Sequence, residues 1–100
     1  MREADCAREA LETPEVLDRL AAVEHERWAH WQRYLHDQCE TRSDGSLVIP
    51  AELVRRWEEQ ISTPYADLSD EEQLSDREQV LKYIPVVIEA LGGTPENRAQ

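Results

Sequence analysis

The stretch that decides the fold is residues 13–39, TPEVLDRLAAVEHERWAHWQRYLHDQC. Thr13 can cap a helix, and Pro14 at the first helical position lacks only an N–H that would have no partner there. Apolar residues then recur at spacings of three, four or their sums, at Leu17, Leu20, Trp28, Trp31 and Leu35. This spacing predicts one amphipathic helix from Glu15 to about Cys39, with these side chains facing a core.

The next segments are shorter. TRSDGS (41–46) ends the long helix because turn-forming residues cluster there. LVIP (47–50) is either a brief extended piece or a core anchor. Pro50 then opens a second helix, in which three apolar residues lie four apart on one side, Leu53, Trp57 and Ile61.

The last helix begins with a capping box, since Ser69 precedes Glu72 by three residues. Its apolar face runs through Val80, Ile84, Val87 and Leu91. Pro85 lies inside this pattern and predicts a kink or a split near Tyr83, because its ring clashes one turn back. Gly92 and Gly93 close the helix.

The predicted fold is therefore all-α: a small single-domain helical fold of three main helices plus a short N-terminal helix. We assign residues 1–13 to an N-terminal extension with the short helix. Residues 14–93 form the helical domain, and residues 94–100 form a flexible C-terminal tail.

Composition narrows the classes of function. The chain has 100 residues, of which 22 are acidic and 11 basic, giving a net charge of −11. This charge argues against direct nucleic acid binding, because phosphate backbones repel it. No apolar run approaches the roughly 20 residues that span a bilayer, so no membrane association is expected.

The N-terminus and the cysteines predict a location. MREADCAREALE (1–12) lacks the apolar stretch of a signal peptide. Cys6 and Cys39 are isolated and form no CxxC motif, which is typical of a reducing compartment. We predict a cytoplasmic protein, in a bacterium or in a phage-infected host.

The sequence argues against a metal site and against a cofactor. His25 and His30 are five residues apart, so on a helix their rings point about 140° apart and cannot share an ion. His36 and Cys39 could meet, but two ligands do not make a site.

Evidence for catalysis is equally thin. Glu24 lies on the apolar stripe, so we expect it to be partly buried with a raised pKa, and beside His25 it could act as acid or base. Alternatively, Glu24 accepts hydrogen bonds from a helix end or pairs with an arginine such as Arg77. No nucleophile or phosphate loop accompanies it, and we predict that the chain is not an enzyme.

The tryptophans have two open interpretations. The chain contains no phenylalanine, so Trp28, Trp31 and Trp57 are its largest apolar groups and are expected to supply much of the core. Alternatively, one of these rings forms with Tyr65 the flat wall of a pocket for a planar ligand.

Two motifs in order resemble a known family. VEHERW supplies an H-x-x-W, from His25 to Trp28. TPYADLSDEEQLSDRE supplies a P-Y-x-x-L, from Pro64 to Leu68, followed by an acidic helix start and a D-R, and VVIEALG closes the domain. Together they resemble the RyR domain, the ryanodine receptor repeat, in its small single-repeat bacterial and phage form, over roughly residues 16–92.

The resemblance implies a small helical fold without known enzymatic activity, suspected of binding a nucleotide-like ligand or of acting as an interaction module. It implies one pocket wall with His25 and Trp28 and a facing wall with Pro64 and Tyr65. Arg77 would meet a phosphate or carboxylate, and Asp76 would hold a hydroxyl or orient Arg77. The alternative is that these residues contact one another inside the fold: Tyr65 packs on Trp28, and Arg77 pairs with Glu24 or Asp76.

The first functional hypothesis is thus a non-enzymatic domain that captures a nucleotide-derived or other anionic planar ligand. In a phage, such a domain would sequester a host signal. Its ligand-binding residues would be Glu24, His25, Trp28, Pro64, Tyr65, Asp76 and Arg77. The second is a protein–protein interaction module that acts as a homodimer. The third hypothesis is an acidic mimic of nucleic acid, and the fourth is an enzyme.

Overall fold

The structure, a computed structural model, describes residues 2–92, with side chains from residue 4 onward. The α-helices in this part of the chain are α1 (Arg2–Leu11), α2 (Pro14–Gln38), α3 (Ala51–Ile61), α4 (Asp70–Leu81) and α5 (Ile84–Ala90). Two strands, β1 (Glu40–Thr41) and β2 (Leu47–Val48), form an antiparallel hairpin, and Tyr65–Asp67 form a 3₁₀ turn. The predicted all-α class is confirmed. The strands are too short for their side-chain period to appear in the sequence.

Helix α2 begins as its sequence predicts. Pro14 is its first residue, and the Thr13 hydroxyl accepts a hydrogen bond from the Val16 N–H at 3.2 Å. After α2 ends, the chain reverses through Arg42–Ser46, where the Asp44 carboxylate accepts bonds from the N–H and hydroxyl of Ser46. Gly45 has a φ of +90°, which favours glycine in this tight turn.

The last helical segment is divided at the predicted place. Helix α4 ends at Leu81 and α5 begins at Ile84, with Pro85 in its first turn, where the missing N–H costs nothing. Gly92 adopts a φ of +97° and donates to the Glu89 carbonyl at 3.0 Å, ending α5. Gly93 and the tail predicted for residues 94–100 lie outside the described residues.

The chain divides into two compact units. Among the described residues, the first unit comprises residues 2–27 and 77–92, and the second unit comprises residues 28–76. Helices α2 and α4 each contribute residues to both.

The first unit has a small buried core. Its helices α1 and α5 are in contact. Val16 on α2 and Val86 on α5 are 9% and 6% exposed, and they are the buried residues within the described part of the chain. An ion pair joins Arg19 to Glu89 at 2.8 Å.

The second unit is built around two indole rings but buries no residue. Trp31 and Trp57 meet edge to face, with ring centroids 5.8 Å apart at 66°. All of residues 28–76 remain half-buried or exposed. The long helix is thus where the sequence predicts it, but its apolar face is only partly covered: Trp28, for example, is 53% exposed.

Candidate functional site

The residues predicted to bind a ligand are distributed over both units. Glu24, His25 and Arg77 belong to the first unit. The others belong to the second unit: Trp28 on α2, Pro64 and Tyr65 around the 3₁₀ turn, and Asp76 on α4. We therefore describe each group within its own unit.

Glu24 differs from its prediction. Its side chain is exposed, and its two oxygens are engaged: Arg27 donates to Oε2 at 2.5 Å and to Oε1 at 3.2 Å, and the Tyr83 hydroxyl donates to Oε1. The hydrogen bond from Arg27, then that from Tyr83, lowers the pKa of Glu24. The prediction of a partly buried carboxyl with a raised pKa is wrong, because one turn of helix supplies an arginine. Glu24 holds α2 to the segment between α4 and α5.

Arg27, one turn along α2, is a cation that pairs with Glu24. The bond to Glu24 raises the pKa of Arg27, so this guanidinium stays charged at every accessible pH. His25 and Arg77 are both exposed in the first unit. Their predicted contact with an anionic ligand stays a prediction.

In the second unit, Tyr65 lies on a short loop that is fixed at both ends. The Gln73 side-chain amide donates to the Tyr65 carbonyl at 2.9 Å and to the Ala66 carbonyl at 3.3 Å. The Leu68 N–H bonds back to the Tyr65 carbonyl at 3.1 Å. The Tyr65 side chain is 47% exposed, so a fixed backbone presents an accessible ring.

The start of α4 fixes the other end of this loop. The capping box predicted from Ser69 and Glu72 is confirmed: the Ser69 N–H and hydroxyl donate to the Glu72 carboxylate, and the Glu72 N–H donates to the Ser69 hydroxyl at 3.2 Å. Gln60 on α3 donates to the other Glu72 oxygen at 2.6 Å. The bond from Gln60, followed by those from Ser69, lowers the pKa of Glu72. This carboxylate therefore joins α3 to α4 within the second unit.

Exposed rings and aliphatic side chains continue along α2 and α3. Trp31 stacks on Tyr34, with centroids 5.4 Å apart at 26°, while its edge contact is with Trp57. Trp28 is one turn before Trp31 on α2, and Val54 is one turn before Trp57 on α3, so both neighbour this ring cluster. We call Trp28, Trp31, Tyr34 and Val54 the aromatic surface, because each is about two-fifths or more exposed.

Sequence reasoning missed two members of this surface, Tyr34 and Val54. The adjacent apolar residues Leu53 and Val54 widen the stripe that leads to Trp57 on α3, and the structure half-buries Leu53 and Trp57 while it exposes Val54. An apolar stripe wider than one neighbouring helix can cover predicts an uncovered edge.

An open groove of about 580 Å³ lies on the first unit. It is lined by Glu15, Val16, Asp18, Arg19, Glu89 and Ala90. None of the predicted ligand-binding residues lines it. Arg19 and Glu89 pair across it, so its charges are already partly neutralised by one another.

Three further features of the described residues concern metal binding, the thiols and membrane spanning. In that range no three histidine, cysteine or acidic side chains lie close enough to hold a metal ion. Cys6 and Cys39 are both free thiols, and the Cys39 thiol donates to the Leu35 carbonyl at 3.2 Å. None of the helices in residues 2–92 is long and apolar enough to cross a membrane.

Comparisons with protein-family models, with curated proteins and with solved structures gave no match. The resemblance to the RyR domain therefore stays a prediction that rests on the quoted motifs.

Proposed function

We propose that this chain is a non-catalytic, RyR-like interaction module that associates with a second copy of itself through the aromatic surface. The observation that carries this proposal is the burial of the second unit: none of residues 28–76 is buried, although this unit holds all three tryptophans. Exposed apolar side chains grouped around ring contacts, as here around Trp31, are typical of protein–protein interfaces.

The size of the aromatic surface suits the centre of an interface. An aromatic side chain buries about 150–250 Å² when fully covered, so three rings exposed by about one half offer on the order of 300 Å² per copy. A standard interface covers about 800 Å² on each partner, most of the remainder being a polar rim. Tryptophan and tyrosine are also the residues that most often dominate binding energy in such centres.

Charge opposes the association and supplies a test. Two copies that each carry −11 repel one another, and salt screens this repulsion over a length of about 8–10 Å at physiological ionic strength. Self-association driven by apolar contact should therefore strengthen when salt is added, the opposite of what a salt-bridged dimer would do.

The experiment is sedimentation velocity in low and in high salt. Protein concentrations of about 1–200 μM bracket a micromolar dissociation constant. Val54→Asp places a charge in the aromatic surface and should shift the midpoint of dimer formation at least about tenfold. Leu17→Asp is the matched control, since Leu17 is 50% exposed in the first unit and should leave the midpoint within about twofold. A monomer throughout, in both salts, would overturn the proposal.

Capture of a planar ligand is the second candidate, supported by the accessible ring of Tyr65 on its fixed loop. Stacking of a base on such a ring contributes about 1–3 kcal/mol. The carboxylates around this loop oppose an anionic ligand and favour a neutral or cationic one.

Thermal unfolding against uncharged nucleosides, and against nucleotides, cyclic dinucleotides and ADP-ribose derivatives as anionic compounds, tests this candidate. A ligand at about 100 times its dissociation constant adds roughly 2.7 kcal/mol, a shift of several degrees. Tyr65→Ser should abolish that shift, and Arg77→Ala separately tests the predicted contact with an anionic group. An unchanged melting temperature with every compound would exclude this panel as ligands.

A further inference from the structure

Residues 57–76 combine a strong negative charge with exposed apolar side chains. Seven of these twenty residues are acidic, and none is lysine, arginine or histidine: Glu58, Glu59, Asp67, Asp70, Glu71, Glu72 and Asp76. All 11 basic residues and all three histidines of the chain lie elsewhere in the sequence. The segment therefore contains no cation of its own to neutralise it.

The exposed apolar side chains of this segment are Ile61, Tyr65 and Leu74. Ile61 is 76% exposed and Leu74 is 54% exposed, although both lie on helices. Carboxylates flank them at helical spacing, because Glu58 is one turn before Ile61 and Asp70 is one turn before Leu74. A partner that covered these apolar groups would bring its own polar groups against carboxylates.

The backbone of the segment is already ordered. Gln60 bonds to Glu72 at 2.6 Å, and the Gln73 amide holds the loop at Tyr65. The capping box fixes the start of α4. Binding would therefore lose little conformational entropy, because this surface is already ordered.

The end of α3 adds an electrostatic reason for a cation. Glu58 and Glu59 lie in its last turn, where the helix dipole is negative, and no basic residue accompanies them. The acidic residues at the start of α4, in contrast, meet the favourable end of their dipole. A cation from outside the chain would therefore be stabilised at the end of α3.

We propose that residues 57–76 bind a cationic amphipathic segment of another protein, which covers Ile61, Tyr65 and Leu74 with apolar side chains and sets lysine or arginine against Glu58, Glu59 and Asp67. A second copy of this chain fits this segment less well than a cationic partner, because its net charge of −11 would add to the negative charge already there. The proposal does not depend on self-association through the aromatic surface, since it uses other residues.

The probe is a fluorescein-labelled synthetic peptide of about 18 residues, with leucine and lysine at the spacing of an amphipathic helix. Its binding to the full chain is followed by fluorescence anisotropy in about 0.05 M and about 0.5 M NaCl. Two control peptides carry glutamate in place of lysine, or serine in place of leucine. We expect no binding of the first, at least about tenfold weaker binding of the second, and a similar loss in high salt.

Two matched variants locate the attraction. Glu58→Gln with Glu59→Gln and Asp67→Asn should weaken binding at least about tenfold. Asp5→Asn with Glu9→Gln and Glu12→Gln removes three charges from exposed positions in α1 and directly after it, and should change binding less than about twofold. Ile61→Ser should weaken it about fivefold or more, because this side chain is too exposed to support the fold.

Each contrary outcome has a definite meaning. If both triple variants lost the same affinity for the peptide, the proposed site would be wrong, since the net charge of the chain would then explain the whole attraction. Equal binding of the serine-for-leucine peptide would overturn the apolar contact, and no binding of the leucine–lysine peptide would overturn the proposal entirely. Val54→Asp distinguishes it from self-association, because that variant should lose the dimer and keep the peptide.

Discussion

Different interactions stabilise the inside of each of the two units of this chain. The first unit has a buried valine on each of two helices, Val16 and Val86, together with ionic and hydrogen-bonded ties at Glu24 and Glu89. The second unit buries nothing and relies on ring contacts, a capping box and side-chain bonds to its loop. The difference shows that a helical segment can be locally well specified while most of its apolar side chains stay exposed.

The largest expected effect comes from adding a charge to the first unit's core. Val86→Asp should lower the free energy of unfolding by about 3 kcal/mol or more, because it buries a carboxylate without a partner. Val54→Asp makes the same change at a 42% exposed position of the second unit and should cost less than about 1 kcal/mol in dilute solution. Urea denaturation monitored by circular dichroism measures both. Equal costs would mean that the two units do not differ as described.

The next effect concerns the helix caps, one in each unit. Ser69→Ala should cost about 1–2 kcal/mol, since it removes the cap of α4 and one support of Glu72. Thr13→Ala removes a single cap bond to Val16 and should cost about 0.5–1 kcal/mol. Ser69→Thr, which can keep the cap, is the control. A larger loss for Thr13→Ala than for Ser69→Ala would contradict the greater reliance of the second unit on its cap.

Acid should weaken both units through Glu24 and Glu72. Their pKa values are lowered in the folded chain from an ordinary value of 4.5, so each contributes stability that is present above 4.5 and is lost as pH falls through the folded value. Unfolding free energies measured from pH 6 down to about 3 should therefore decline, and Glu72→Gln should flatten the decline. Glu71→Gln removes an equal charge from the neighbouring residue and should flatten the decline of stability less. Equal flattening would assign the effect to net charge alone.

The smallest expected effect is that of the exposed ion pair in the first unit. Arg19→Gln should cost less than about 1 kcal/mol, because both partners are more than two-fifths exposed and water screens them. The same denaturation experiment measures it. A cost as large as that of Val86→Asp would mean that this pair, and not the valines, holds the first unit together.

The sequence predicted the helices well because their signals are local. The caps at Thr13 and Ser69, the break at Pro85 and the closing Gly92 each act within one or two turns, so neighbouring residues determine them. Strand β2 agrees with one of the two interpretations of LVIP, a brief extended piece, whereas β1 was missed because no period fits so short a length.

The candidate site was harder to predict because burial depends on what lies across from a side chain. Glu24 shows this directly: its place on an apolar stripe predicted burial, but the facing surface leaves it in solvent beside Arg27. Val54 was missed for the same reason, since an apolar stripe does not reveal which of its edges is covered. The aromatic cluster of Trp31 and Trp57 could be predicted as a group, but its exposure could not.

All three tryptophans belong to residues 28–76, and the first unit has none. Intrinsic indole fluorescence is therefore an optical reporter of the second unit alone, without any label. Far-ultraviolet circular dichroism, in contrast, sums over the helices of both units. Recorded together during unfolding, the two signals coincide if the units melt as one cooperative body and separate if one melts before the other.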